Sequence, residues 1–575
     1  MNSNWRKYSG LIPAGNSVVR LILAVLSGGL PLMIAWAAGA AGQGNGMPIV
    51  PLPVEARWSE GAPFQLTSAT TVVCVGDAAA IREVAARATD ALRLVASWTL
   101  KTGSADGGGS NIVLRLDRSL FPDLPDWQRA ESYRLSVSAT RVELFATTAH
   151  GLFNGVQTLA QLVSPAGTGQ WQVRACDVKD YPRFQWRGLL LDPARHFLPP
   201  EYLKKFIEVM ASYKYNQLQL HLTDDQGWRI EIKKYPRLTE IGSVRKESPR
   251  HGDREQGDGT VDGPFFYTQD QIRDLVAYAQ ARHVTLVPEI EIPGHFGAAL
   301  AAYPELSCTG GPFEVHTRWG VKPDILCAGN DDAVAFAKDV LGEVCELFPS
   351  QFIHIGGDEA PRNRWKVCPK CQARMKAEGL KKEAQLQTWL NHRLEEFLAS
   401  KGRRMIGWDE ILEGGLTPGA VVMSWRGTRG GIAAAQAGHD VVMSPTSHCY
   451  FDNAQAQGPA EPECIGGFIP LDKVYSYEPM PAILSASQSQ HILGAQGNLW
   501  GEYLWDGKDV EYFGFPRALA LAEVLWSPAE SRNLASFLGR LDGQYAHLDR
   551  LRMNYRKPDA AAPSNRETEP KAQAK

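Results

Sequence analysis

From Tyr181 onward the chain runs through eight short apolar stretches, each closing on polar residues: Trp186–Asp192, Gln217–Leu222, Thr285–Glu291, Phe352–Gly357, Arg404–Trp408, Val421–Trp425, Val441–Ser444 and Ile492–Gly497. Helical stretches fall between most of them, at Glu201–Tyr213, Asp270–Arg282, Asp332–Leu347 and Glu383–Lys401. Strands that are apolar on both faces must be covered on both, which is the signature of a parallel sheet alternating with helices. Eight such units predict an α/β fold, a (β/α)8 TIM barrel over residues 182–555 with enlarged loops. The intervals after the second, third and seventh stretches are long, and long loops in a compact domain usually carry function.

The preceding segment, residues 47–181, has a different rhythm. Short strands are predicted at Thr70–Val75, Asn111–Leu116, Ser132–Ser138 and Arg141–Ala146, with a helix over Ala78–Ala96, giving a small α+β domain without chemistry-bearing clusters. At the start of the chain, Arg6, Lys7 and Arg20 precede an apolar run from Leu21 to Ala38 and the small residues Ala37-Ala38-Gly39-Ala40. That order predicts an export signal over residues 1–42 and a periplasmic or secreted protein. Gly28, Gly29 and Pro31 interrupt the run and argue against a permanent membrane span. From Arg556 the sequence is rich in Pro, Ala and charge, so residues 556–575 are expected to be disordered.

Nine cysteines fit an oxidising compartment, and their odd number leaves one unpaired within the chain. Cys308 with Cys327 is the first choice for a bridge and Cys449 with Cys464 the second. Cys368-Pro-Lys-Cys371 resembles half a zinc site, but no second pair stands at a ligand-like spacing, so neither metal nor cofactor is expected. A formal charge of −3 without a basic run excludes a nucleic-acid partner, whereas sixteen Trp hint at carbohydrate, because flat aromatic faces stack on sugar rings.

In such a barrel the residues just past the strand ends converge on one mouth. Here they are Asp192, Arg195 and His196; Asp224 and Asp225; Glu289, Glu291 and His295; Asp358 and Glu359; Trp408, Asp409 and Glu410; Trp425 and Arg426; Tyr450 and Asp452; Trp500 and Glu502. A lone Asp after a strand is more often a helix cap, but chemistry at all eight ends is hard to attribute to capping. Acids, cations and Trp on one rim suit glycosidic cleavage, which needs a proton donor and a group that stabilises a positively charged sugar. Asp358 and Glu359 are neighbours, and neighbours on a straight strand point to opposite faces. Residue physics alone therefore leaves open how they flank a bond.

His354-Ile-Gly-Gly-Asp358-Glu359 resembles the signature of family 20 glycoside hydrolases, the β-N-acetylhexosaminidases. Arg187-Gly-Leu-Leu-Leu-Asp-Pro-Ala-Arg195-His196, His221-Leu-Thr-Asp224-Asp225-Gln-Gly-Trp228-Arg229 and Pro288-Glu-Ile-Glu-Ile-Pro-Gly-His295 resemble its other blocks, in the same order. Gly407-Trp408-Asp409-Glu410, Ser424-Trp425-Arg426, Asn498-Leu-Trp500-Gly-Glu502 and Pro516-Arg517 complete the set.

The resemblance implies exo-acting, retaining hydrolysis of terminal β-linked N-acetylhexosamine, with a terminal sugar as the partner. Glu359 is then the general acid and base, its pKa raised by burial, and Asp358 steadies the substrate's own attacking acetamido group. Tyr450 donates to the acetamido oxygen, and Trp408, Trp425 and Trp500 wall the pocket. Arg195, Asp452 and Glu502 hold ring hydroxyls; Asp224 and His295 tune Glu359. Glu291 departs from the Asp more usual in the family, and His354, His196 and Asp225 read as supports. A metal-dependent barrel hydrolase would need clustered His ligands, and its activity would not survive a chelator. A sugar-binding protein without catalysis could dispense with the acid, yet Asp358, Glu359 and Tyr450 are all present.

Overall fold

The computed structural model describes residues 46–558 apart from 77, 97–98, 104–110, 250–256, 258 and 460. The expected export signal and most of the expected disordered tail lie outside these residues. Arg556, placed in that tail by its composition, is fixed: its Nε donates to Glu461 Oε1 at 2.8 Å and its N–H to the Phe515 carbonyl. Among the described residues no helix is long and apolar enough to cross a membrane.

The barrel closes through eight parallel strands in sequence order. They are β1 (Trp186–Leu191), β2 (Gln217–His221), β3 (Thr285–Glu289), β4 (Phe352–His354), β5 (Arg404–Trp408), β6 (Val421–Ser424), β7 (Val441–Met443) and β8 (Ile492–Leu499). Helices Pro200–Ser212, Gln269–Gln280, Asp331–Leu347 and Glu383–Ser400 lie between them. β1, β6 and β7 are buried along their whole length and the other five strands at all but one residue, as continuous apolar runs require. Alternation divides their side chains: Trp186, Leu190, Val287, Ile406, Trp408, Val421, Met423 and Val442 fill the interior, while Leu189, Leu191, Leu218 and Leu220 join the larger core.

The interior also carries a polar thread. The Trp186 indole donates to Gln496 Oε1 at 3.3 Å, Gln496 to Gln219 Oε1 at 2.7 Å, and Gln219 to Glu289 Oε2 at 2.8 Å. Each amide is thereby satisfied, and the thread ends at the C-terminal mouth.

Ahead of the barrel lies a seven-stranded mixed sheet, in the order 55–58, 176–180, 133–137, 141–146, 111–116, 71–75, 101–103. Helix Ala78–Ala96 packs on it beside a second helix, Ala149–Leu162, which the sequence reading did not separate. Thr148 caps that helix by accepting from the backbone N–H of His150 and Gly151.

Buried polar groups join this sheet to the barrel. Asp180 accepts from the Tyr133 hydroxyl at 2.6 Å, the Lys214 ammonium at 3.1 Å and the Trp526 indole at 2.9 Å. The Lys214 and Asp180 side chains are both fully buried, and burial pulls the Lys214 pKa down despite its partner. Asp180→Ala strands that ammonium without a counter-charge, and is expected to cost about 3–5 kcal/mol of stability. Urea unfolding checks this; an unchanged midpoint would contradict the role given to the pair.

Candidate active site

The site grows from the turn after β4. Gly356 and Gly357 adopt φ of 64° and 93°, and Glu359 is itself held at φ 43°. At Gly356 the requirement is also spatial, since a Cβ would fall 1.9 Å from Glu291 Oε2. A non-glycine residue in the left-handed region is strained, and such strain persists where surrounding structure over-determines it. Gln387, on helix Glu383–Ser400, supplies part of that support by donating to the Gly357 carbonyl at 2.7 Å.

The turn brings the two neighbouring carboxylates to one imidazole. His295 Nε2 lies 3.8 Å from Asp358 Oδ2 and 3.6 Å from Glu359 Oε2. Its Nδ1 faces Asp224 Oδ1 at 3.4 Å and Asp225 Oδ2 at 3.5 Å. Behind Asp224 stand Arg195, whose Nη2 is 2.8 Å from Oδ2, and His221, whose Nε2 is 3.0 Å from the same oxygen. Against the pull of burial, Arg195 and His295 hold Asp224 well below the usual carboxylate range, and Asp224 in turn keeps His295 cationic.

The two acids differ in environment. Burial raises Asp358, with the His295 charge opposing. The Glu359 side chain remains 41% exposed. Its carboxyl is lowered, first by the His295 imidazole that faces it. This reverses the expectation that burial raises Glu359: with the mouth open, water reaches it and a cation faces it.

Tryptophans form one side of the mouth. Trp408 and Trp500 have ring centroids 5.7 Å apart; Tyr450 lies 6.1 Å from Trp425 and 6.4 Å from Trp500. The Trp408 indole donates to Glu289 Oε1 and the Trp425 indole to Glu410 Oε2, which fixes both rings. Arg195, paired to Asp192 at 2.9 Å, lies 5.3 Å over Trp500. Burial lifts Asp452 and Glu502, each also raised by a neighbouring carboxylate. Asp358 Oδ1, Asp452 Oδ1 and Glu502 Oε2 are buried acceptors with no hydrogen-bond partner. Buried polar atoms are nearly always paired, so three such acceptors in one mouth call for a ligand rich in hydroxyl or amide donors.

All the candidate residues thus meet at one end of the barrel. Sequence reasoning gave no role to Glu289, yet it is the hub: it takes hydrogen bonds from Gln219, His221 and Trp408 and lies 3.0 Å from His354 Nδ1. Its place beside a strand end was the available signal. Glu410, placed at the mouth by the sequence but given no role there, is pushed up to about 8 by burial and then by Asp358. His196 is a support, with Nδ1 2.6 Å from the Gly501 carbonyl, its ring stacked on Trp505, and burial holding it neutral at about 3. Asp225 Oδ1 accepts from the Gly297 N–H at 2.8 Å. Glu291 is fully buried, its carboxylate without hydrogen bonds, and it is raised well above the usual range by burial and then by Asp358.

The model of the glycosyl hydrolase family 20 catalytic domain matches residues 184–529, and that of the family's domain 2 matches residues 46–181. The chain belongs to glycosyl hydrolase family 20. This glycoside hydrolase is 45% identical over 523 residues to a beta-hexosaminidase of Porphyromonas gingivalis, covering 89% of this chain and 65% of that longer protein. A beta-N-acetylhexosaminidase of Cellulomonas fimi is 34% identical, over 88% of this chain and 94% of its own length. A mutant Streptomyces plicatus beta-hexosaminidase solved in complex with product GlcNAc superposes with a TM-score of 0.77, at 30% identity, over 89% of this chain and 97% of that one.

Proposed function

We propose that this enzyme removes terminal non-reducing β-linked N-acetylhexosamine with retention, the substrate's acetamido oxygen attacking C1 to form an oxazolinium ion. One observation carries the reading: Asp358 offers a buried, unpartnered acceptor beside an acid that is its sequence neighbour. A retaining hydrolase with its own nucleophile needs a second carboxylate across the bond. A carboxylate facing the same imidazole as the acid is better placed to accept the acetamido N–H and steady the charge that develops on it. Tyr450 orients the acetamido oxygen, and Trp408, Trp425 and Trp500 enclose the group. Arg195, Asp452 and Glu502 hold the ring hydroxyls. A site built to bond particular hydroxyls rejects analogues lacking them.

Glu359 protonates the leaving oxygen and then activates water. A cleft of about 320 Å³ beside it, bordered by Arg362, Glu410 and Arg426, receives the leaving group. Asp224 and His295 act through Glu359 by setting its charge and position. The N-terminal sequence pattern supports action outside the cytoplasm. The test compares release from aryl β-glycosides of N-acetylglucosamine, N-acetylgalactosamine and glucose. Cleavage of the acetamido sugars with an inert glucoside supports the proposal; comparable glucoside cleavage would overturn it.

The environment of Glu359 sets a pH signature. In the open site its carboxyl lies below the ordinary value. A sugar seated over it excludes water, which raises a carboxylate pKa. The basic limb of kcat reports the complex and that of kcat/KM the free enzyme, so the kcat limb is expected at higher pH. Coincident limbs, or the reverse order, would contradict this account of the acid.

A further inference from the structure

We propose that Cys308, Cys327, Cys368 and Cys371 form a structural tetrathiolate zinc site that fastens the loop after β3 to the segment following Asp358-Glu359. All nine cysteines are thiols, so neither bridge expected from the sequence, Cys308–Cys327 or Cys449–Cys464, is formed. Instead the Cys-x-x-Cys turn meets the second pair that its sequence neighbourhood lacks. The four sulfurs all lie within 4.8 Å of one another.

The separations discriminate between chemistries. Cys308 Sγ is 3.8 Å from Cys371 Sγ, and Cys327 Sγ is 3.7 Å from Cys368 Sγ and 3.6 Å from Cys371 Sγ. A disulfide brings its sulfurs to about 2.05 Å. Four thiolates at about 2.3 Å from a tetrahedral zinc ion stand about 3.8 Å apart. The three measured edges match the tetrahedron, with Cys371 and Cys327 each sharing two of them.

Local structure supports the cluster. Pro369 opens helix Pro369–Ala377 and places Cys368 and Cys371 at its start. Gly329 allows the facing loop to come close, since a Cβ there would fall 2.2 Å from the Cys371 nitrogen. Cys327, Cys368 and Cys371 are buried. Four sulfur ligands with no open position describe a closed, structural site, and all-thiolate donors exclude the hard cations calcium and magnesium.

The position gives the clamp a purpose. The Trp365 indole donates to the Leu326 carbonyl at 3.0 Å, and the Leu326 N–H donates to the Pro293 carbonyl at 3.0 Å, two residues before His295. Zinc would therefore hold together the two loops that carry His295 and Glu359. This assignment does not depend on the reaction proposed above.

The test is elemental analysis of the full chain, purified without chelator, alongside Cys368→Ser/Cys371→Ser. One zinc per wild-type chain, released stoichiometrically by a mercurial and near zero in the double variant, is expected. The wild-type measurement stands even if the variant fails to fold. A metal-free protein whose thiols react only after reduction would instead contain disulfides and overturn the proposal. So would four free thiols that take up no added zinc, iron in place of zinc, or zinc retained by the double variant.

Discussion

Glu359→Gln is expected to lower kcat on an oligosaccharide substrate by about 10²–10⁴-fold, the range of a positioned general acid. The amide preserves shape and can still meet His295, so KM should change little. What disappears is the proton for the leaving oxygen. An aryl leaving group departs with less help, so the loss should be smaller on aryl glycosides than on a sugar leaving group. Steady-state kinetics on both substrates decide it. An equal, modest loss on both would mean that Glu359 positions substrate and another group supplies the proton.

Asp358→Asn should cost about 10²–10³-fold in kcat, comparable to the loss of one charge-stabilising group in a closed site. Asp358 is half-buried, and its Oδ1, itself shielded from solvent, has no protein partner. The substrate interaction therefore forms at an acceptor already stripped of water, and it strengthens as the acetamido group becomes cationic. Asparagine keeps an oxygen but loses the charge, so kcat and kcat/KM should fall together. An effect confined to KM would reduce Asp358 to a ground-state contact.

Much of this was legible in the residues because the barrel writes itself as a repeat. Strands buried on both faces read as apolar runs, and the residue after each run must lie at the mouth, so Asp358, Trp408 and Tyr450 were located before any contact was known. The barrel strand count matched, and ends differed by a few residues: the stretch expected to reach Gly357 leaves the sheet at His354, two residues before φ turns positive at Gly356.

What could not be read were quantities set by three-dimensional neighbours. The Glu359 pKa depends on a histidine 64 positions earlier in the chain and on open water, neither of which a local pattern encodes. The centrality of Glu289 depends on partners from β2, β4 and β5. Cys368 and Cys371 lie 41 and 44 positions from Cys327, so the meeting of the two pairs is a product of the fold.

The most direct test of acetamido participation is the rate on a series of aryl N-acyl-β-glucosaminides carrying none, one, two or three fluorines on the acyl methyl. Fluorine weakens the amide oxygen as a nucleophile while scarcely changing the size of the group. The account predicts that kcat/KM falls steeply with each fluorine, because the attacking atom belongs to the substrate. A flat series, with all four sugars hydrolysed alike, would contradict it and place the nucleophile on the enzyme.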